Sequence, residues 1–240
     1  MLENYVVLDL EMTGLSPRYD KIIEIGLIKV RQNRVAEQFA TLIYPDMQIS
    51  QRISEITGIT DEMLTNQPRI EDKIAEVIEF LKGEVLIGHS LQNDFAFLMQ
   101  ACYQCGIYSS VRNEKWMGID TLEIAKKCVD VNQSKSLEAL CKLYGIEDKQ
   151  HHRAVNDARI TGQLYEKLCG QYENGDRTFL PKSYTYKIKK DRIPTKRDLE
   201  RLDMLVKKLN IKDVPDFSIM TQSEVYRYYD KIKSLGRESW

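Results

Sequence analysis

The stretch that most constrains this chain is Tyr5-Val6-Val7-Leu8-Asp9-Leu10-Glu11-Met12-Thr13-Gly14-Leu15. An apolar run of this kind reads as a buried strand, and it ends in two acids two residues apart, just before a Thr-Gly turn. Side chains at i and i+2 of a strand point the same way, so Asp9 and Glu11 project from one face. Two like charges that close repel. Two readings fit: a strand end whose acids face water, or a pair held together by a metal cation that makes the repulsion tolerable.

The rest of the chain has the layout of an α/β protein. After the polar turn Ser16–Asp20 comes a second apolar run, Ile22 to Val30. The turn Arg31-Gln32-Asn33-Arg34 leads to a third, Glu37 to Tyr44, stopped by Pro45. Three strands with short connections predict an antiparallel meander. Thr60 is a good N-cap for Asp61-Glu62-Met63-Leu64. Ile70, Ile74, Val77, Ile78 and Leu81 recur at helical spacing, and Val85-Leu86-Ile87 reads as a short buried strand. Helix over Asn93 to Cys105, strand over Trp116 to Ile119, a capping box Asp120-x-x-Glu123, helix over Ser136 to Tyr144 and helix over Ala154 to Tyr172 complete the body. Ala154, Ala158 and Gly162 fall four apart, a small-residue stripe that can approach a sheet closely. A meander followed by βαβα units predicts a mixed sheet with helices on its faces.

Residues 1–175 are expected to form this body and 176–190 a Lys- and Tyr-rich linker. Residues 191–240 should then form a small module of two helices, one opened by Thr195-x-x-Asp198 and one by Thr221-x-x-Glu224. The overall charge of −1 hides an asymmetry. Residues 182–240 carry 15 Lys/Arg against 9 Asp/Glu, whereas 1–181 carry 20 against 27. An acidic body with a basic tail suits a protein that handles nucleic acid, and Tyr226, Tyr228 and Tyr229 on the module could stack on bases or simply pack in its core. The five cysteines are irregularly spaced, which fits ordinary reduced thiols better than a disulfide framework or a zinc site. No apolar run approaches the ~18 residues that a membrane span needs, and no signal segment opens the chain. A soluble cytoplasmic protein is expected.

Three stretches place acids where chemistry would use them. The first is Asp9-Leu10-Glu11. The second is Gly88-His89-Ser90-Leu91-Gln92-Asn93-Asp94, in which Asp94 opens a helix after a strand. The third is His151-His152-Arg153-Ala154-Val155-Asn156-Asp157, again at a helix start. Each acid lies where a strand ends or a helix begins, the usual place for ligands in α/β sheets. Singly, Asp94 and Asp157 could be helix N-terminal acids favoured by the dipole, and His89 and His151 could serve local hydrogen bonds or the surface. Together, four carboxylates could surround hard cations that take oxygen ligands, most simply Mg²⁺ or Mn²⁺.

This order of motifs resembles the DEDDh exonuclease superfamily, whose fold is ribonuclease-H-like, over roughly residues 4–170. Asp9 and Glu11 match its first motif, Asp94 its second, and His152 and Asp157 its third. Ile56 to Leu64 is similar to the segment between motifs in the epsilon proofreading subunit of DNA polymerase III and in the exonuclease domain of the Gram-positive replicative polymerase. Two motifs depart from the epsilon pattern. Leu10 and Met12 stand where that segment has Thr and are more like oligoribonuclease, and Asn93 stands where an aromatic residue is common.

The resemblance implies two-metal hydrolysis of phosphodiesters from a 3′ end, releasing nucleoside 5′-monophosphates. It implies Asp9, Glu11, Asp94 and Asp157 as ligands of two divalent ions, Mg²⁺ or Mn²⁺, and His152 as general base, since only His152 has the family spacing to Asp157. Thr13, Gly14, Leu15 and His89 are the implied substrate contacts. The expected substrate is DNA with single-stranded 3′ ends, in proofreading or repair, and the candidate protein partner is a DNA polymerase. Short RNA is the alternative substrate, and a non-catalytic nucleic-acid or polymerase adaptor is the alternative class.

Overall fold

The computed structural model describes residues 1–147, 153–212 and 214–235. Its centre is a six-stranded mixed sheet in the order β3-β2-β1-β4-β5-β6. The strands are β1 (Tyr5–Met12), β2 (Ile22–Arg31), β3 (Arg34–Leu42), β4 (Val85–Gly88), β5 (Met117–Asp120) and β6 (Lys182–Ser183). β1, β2 and β3 pair antiparallel, β4 and β5 run parallel to β1, and β6 returns antiparallel to β5. The helices are α1 (Gln51–Thr57), α2 (Asp61–Leu64), α3 (Ile70–Leu81), α4 (Leu91–Gln104), α5 (Tyr108–Val111), α6 (Thr121–Cys128), α7 (Leu137–Tyr144), α8 (Ala154–Tyr172), α9 (Lys196–Lys208) and α10 (Gln222–Leu235). The mixed sheet with helices on its faces is the architecture the sequence predicts.

The alternation along β1 assigns the two faces. Val6, Leu8 and Leu10 enter a core shared with α3 and α4, including Ile74, Val77, Phe95 and Leu98. Tyr5 and Val7 enter the opposite core with α6, α7 and α8, including Ile124, Leu140, Ala158 and Leu164. Asp9 and Glu11 continue the Tyr5–Val7 row, so the strand carries its acids onto the α8 side. β1 and β2 are buried along most of their lengths because both faces are covered, which explains their unbroken apolar composition.

Several local expectations shift for identifiable reasons. β3 starts at Arg34 rather than Glu37, because Gln32 (φ 50°) and Asn33 (φ 60°) form a two-residue turn that lets Arg31 pair with Arg34. Asp120 caps α6 by accepting from the Leu122 amide at 2.9 Å, but Glu123 does not complete the box. Glu123 pairs with Lys182, and the Asp120 carboxylate also accepts from the Ser90 amide at 2.9 Å, tying the entry of α4 to the end of β5.

Residues 176–190, expected as a linker, lie on the body. Asp176 caps a 3₁₀ turn at Arg177–Phe179, Phe179 and Tyr184 are buried, and β6 extends the sheet. Tyr184, Tyr186 and Ile188 alternate inward onto the α4 core while Thr185 and Lys187 between them face out. The Lys-rich composition hides this two-residue period. Beyond it, α9 and α10 pack through Leu202, Val206, Val225 and Ile232. Thr195 and Asp198 form the expected capping box of α9. At the start of α10, Thr221 and Glu224 exchange hydrogen bonds in the same reciprocal way. This pair rests on the loop after β1: Arg18 donates to Gln222 at 3.0 Å and pairs with Asp191 at 3.4 Å, and the Tyr19 and Tyr226 rings lie 5.1 Å apart. None of the five cysteines, all among the described residues, forms a disulfide. Among the described residues, no helix is long and apolar enough to cross a membrane.

Candidate active site

The site forms where β1 ends. Carboxylate oxygens of Asp9 and Glu11 from β1 and of Asp157 from α8 lie within 4.8 Å of one another. Asp94, in the first turn of α4, is buried beside them, and its charge is the strongest neighbouring influence on Asp9. Three segments distant in sequence thus deliver four acids to one place. His152 lies outside the described residues.

The electrostatics of the site are dominated by burial and by repulsion among its acids. Burial holds the Asp9 carboxyl well above the usual carboxylate range, and Asp94, Asp157, Glu11 and Glu24 push it further. Burial likewise raises Asp94, with Glu11 and Asp120 adding to it. Glu11 is pushed up to about 8, by burial first and then by Asp157 and Glu24. An all-oxygen donor set that repels itself is the arrangement that a hard divalent cation relieves, so the residues present fit such a group.

Asp157 reaches β1 because α8 starts against β2. Glu11 pairs in register with Glu24, and Asp9 with Gly26. Glu24, 1% exposed, accepts from Arg153 Nε at 2.9 Å, from Arg153 Nη2 at 2.8 Å and from the Ala154 amide at 3.0 Å. The interaction holds the first turn of α8 and satisfies one of its orphan amides. Gly26 makes the approach possible, since a Cβ there would collide with the Ala154–Val155 backbone. The small-residue stripe adds to this, with Gly162 seated over Val7. Sequence reasoning missed Glu24, Gly26 and Arg153. The visible sign was an acid and a glycine inside the otherwise apolar run Ile22 to Ile28.

The turn after β1 is built around Asp20, also missed. Its carboxylate accepts from the Ser16 amide at 2.8 Å and from the Thr13 hydroxyl at 3.4 Å. It fills the space a side chain at Gly14 would need. The Thr13 amide donates to Lys21 O and its hydroxyl accepts from the Lys21 amide, both at 2.9 Å, so Thr13 is engaged inward and its donors are spent within the turn. Leu15 stands 86% exposed in this turn. His89, expected at the substrate, has both ring nitrogens occupied: Nδ1 lies 2.9 Å from Thr121 Oγ1, and Nε2 lies 2.8 Å from the Lys135 carbonyl.

Comparison with known proteins agrees with this geometry. A family model described as Exonuclease (RNase T) matches residues 6–165. The PolC-type DNA polymerase III of Thermotoga petrophila is 39% identical over 163 residues, 67% of this chain and 11% of the relative. That of Staphylococcus epidermidis is 35% identical over 167 residues, 70% of this chain and 11% of the relative. The chain therefore spans about a tenth of the length of the curated relatives it matches. Among solved structures, Exonuclease X in complex with 5′ overhanging duplex DNA superposes with a TM-score of 0.56 at 23% identity, covering 73% of this chain and 96% of that one. E. coli Exonuclease I in complex with a dT13 oligonucleotide gives 0.63 at 19% identity, covering 72% and 42%. The nuclease domain of 3′hExo, a DEDDh family member bound to rAMP, gives 0.59 at 17% identity, covering 71% and 93%. These structures share the fold.

Proposed function

This chain belongs to the exonuclease family, and on that premise we propose that it removes nucleotides from the 3′ end of single-stranded DNA, releasing nucleoside 5′-monophosphates. The observation that carries the proposal is the convergence of Asp9, Glu11 and Asp157 oxygens within 4.8 Å beside buried Asp94.

In this reading Asp9, Glu11, Asp94 and Asp157 would hold two divalent ions, Mg²⁺ or Mn²⁺. When bound, such ions neutralise the reacting phosphate and favour in-line displacement by water. The chain's own residues supply the rest. Asp9 and Glu11 present their oxygens from a rigid central strand, and the Glu24–Arg153 pair holds α8 so that Asp157 meets them. His152 takes the proton of the attacking water, a task its unperturbed pKa of ~6.5 suits. Leu15, exposed, offers an apolar edge to the terminal base, and the Gly14–Leu15 backbone offers it donors. Thr13 and His89 act by shaping the turn and the α4 entry, consistent with their inward hydrogen bonds.

Likeness to PolC-type polymerases favours DNA over RNA, and it favours work alongside a replicative polymerase in the cytoplasm. Leu10 and Met12 favour the second reading, an exoribonuclease of short RNA. The test is digestion of 5′-labelled DNA and RNA oligomers of matched sequence. A DNA ladder that shortens from its 3′ end with Mg²⁺ or Mn²⁺, stops with chelator, and is lost by at least ~10³-fold in Asp9→Ala and Asp157→Ala supports the proposal. Faster digestion of the RNA selects the second reading. Wild-type rates in Asp157→Ala overturn the site assignment.

A further inference from the structure

The segment 184–192 crosses the molecule beside α4, the helix that carries Asp94. The Gln92 side chain donates to Thr185 O at 3.4 Å, two residues from Asp94. Two turns further on, buried Gln100 clamps the segment from both sides, donating to Lys189 O at 3.0 Å and accepting from Lys189 N at 3.1 Å and from Tyr186 Oη at 3.2 Å. At its far end Asp191 meets Arg18, on the loop that follows Gly14 and Leu15. The segment therefore runs from the Asp94 end of α4 to the loop of the β1 turn.

Its two sides differ in chemistry. Tyr184, Tyr186 and Ile188 pack inward, while Lys187, Lys189, Lys190 and Arg192 are exposed. Among the described residues, none of Lys187, Lys189 and Lys190 forms an ion pair. In an extended chain, alternate side chains on one face repeat at about 6.6 Å. Lys187 and Lys189 are uncommitted cations at that repeat, fixed to the scaffold by a buried amide, and Lys190 adds charge next to them; the pair is suited to successive charges on an extended polyanion.

We propose that this strap is the track for the phosphodiester backbone of the substrate strand upstream of the scissile bond, with Lys187 and Lys189 meeting successive phosphates and Lys190 adding positive charge beside them. It deepens the exonuclease reading by assigning the strand's path, and it explains how a strongly acidic centre holds a polyanion: the acids take one phosphate with its ions, and the strap takes those behind it. Phosphate contact carries no sequence information, so the track is sequence-tolerant.

The test compares the full chain with Lys187→Gln/Lys189→Gln/Lys190→Gln and with a charge-matched control on the other face of the sheet, Lys126→Gln/Lys142→Gln/Lys167→Gln. Binding of fluorescent dT12 is followed by anisotropy in chelator from 50 to 200 mM salt. Hydrolysis of thymidine 5′-monophosphate p-nitrophenyl ester, which has no upstream phosphate, is followed with Mn²⁺. The strap variant should bind dT12 at least tenfold more weakly, with a log–log salt slope shallower by about 2, and hydrolyse the ester within twofold of wild type. The control should bind like wild type. Unchanged dT12 affinity and slope in the strap variant, or equal losses in the control, overturn the track. If the wild type binds dT12 through the strap but cleaves neither substrate, the track stands and the exonuclease reading falls.

Discussion

Glu24 and Arg153, 129 residues apart, form a two-point ion pair, with Nε at 2.9 Å and Nη2 at 2.8 Å from one carboxylate oxygen, while the other oxygen accepts from the Ala154 amide at 3.0 Å. The pair joins β2 to the first turn of α8, one helical turn before Asp157. It also places a third acid, itself neutralised, beside the two on β1.

Glu24→Ala should therefore damage both stability and metal binding. It strands Arg153 and a buried helix-terminal amide, at a cost of about 3 kcal/mol, because Arg153 can partly turn to water. Thermal unfolding measures the first loss. Weaker Mn²⁺ binding, read by calorimetry on the folded variant, measures the displacement of Asp157. A variant with wild-type Mn²⁺ affinity would show that Asp157 is held by other contacts.

Gly26→Ala adds a single methyl that meets the Ala154–Val155 backbone. Backbone cannot swing aside as a side chain can, so α8 must lift from the sheet. The expected cost is about 2–3 kcal/mol, with activity falling more than stability because Asp157 moves with the helix. Gly162→Ala is the comparison, since its methyl meets only the end of Val7 and should cost less than ~1 kcal/mol.

Without metal, the acids should make the protein less stable as pH rises. Glu11 sits at about 8 in the folded state, against ~4.3 unfolded. Between those values the folded state holds a proton that the unfolded state has lost. The contribution is fully present below pH ~4 and disappears as pH passes 8. The melting temperature in chelator should fall from pH 5 to 8 by more than ~2 °C. Glu11→Gln should flatten that fall, and so should saturating Mg²⁺, which holds the carboxylates ionised. Metal affinity should rise over the same range as protons are displaced. Equal slopes for wild type and Glu11→Gln would remove the site as their cause.

The C-terminal pair should show the opposite sign. Desolvation raises the Asp198 carboxyl, but hydrogen bonds from Thr195, Gln222 and Tyr226 outweigh it and hold the group at about 2. Its contribution is present above pH ~4 and is lost as pH falls toward 2. Asp198→Ala should remove the pH dependence of α9–α10 unfolding in that window and cost about 1 kcal/mol at pH 7. Tryptophan fluorescence of Trp116, in the body, should be unaffected.

The sequence by itself determined five of the six strands, most of the helices and the place of the acids at strand and helix ends. Asp9 and Glu11 share a face because a strand repeats every two residues, and Ile70 to Leu81 form a helix because apolar side chains recur every three or four. Such periods are written in neighbouring residues. Only the tertiary structure decided the rest. Glu24 reads as one odd acid in an apolar run until Arg153 arrives from a distant helix. Gly26 carries no turn signature, because what it accommodates is another segment's backbone. His89 and Thr13 look like site residues by position, yet their partners Thr121, Lys135, Asp20 and Lys21 draw them inward. The Lys-rich stretch from 184 reads as a solvated linker until its alternate tyrosines meet α4. In each case the deciding contact joins segments with no shared period, so it exists only once the chain has folded.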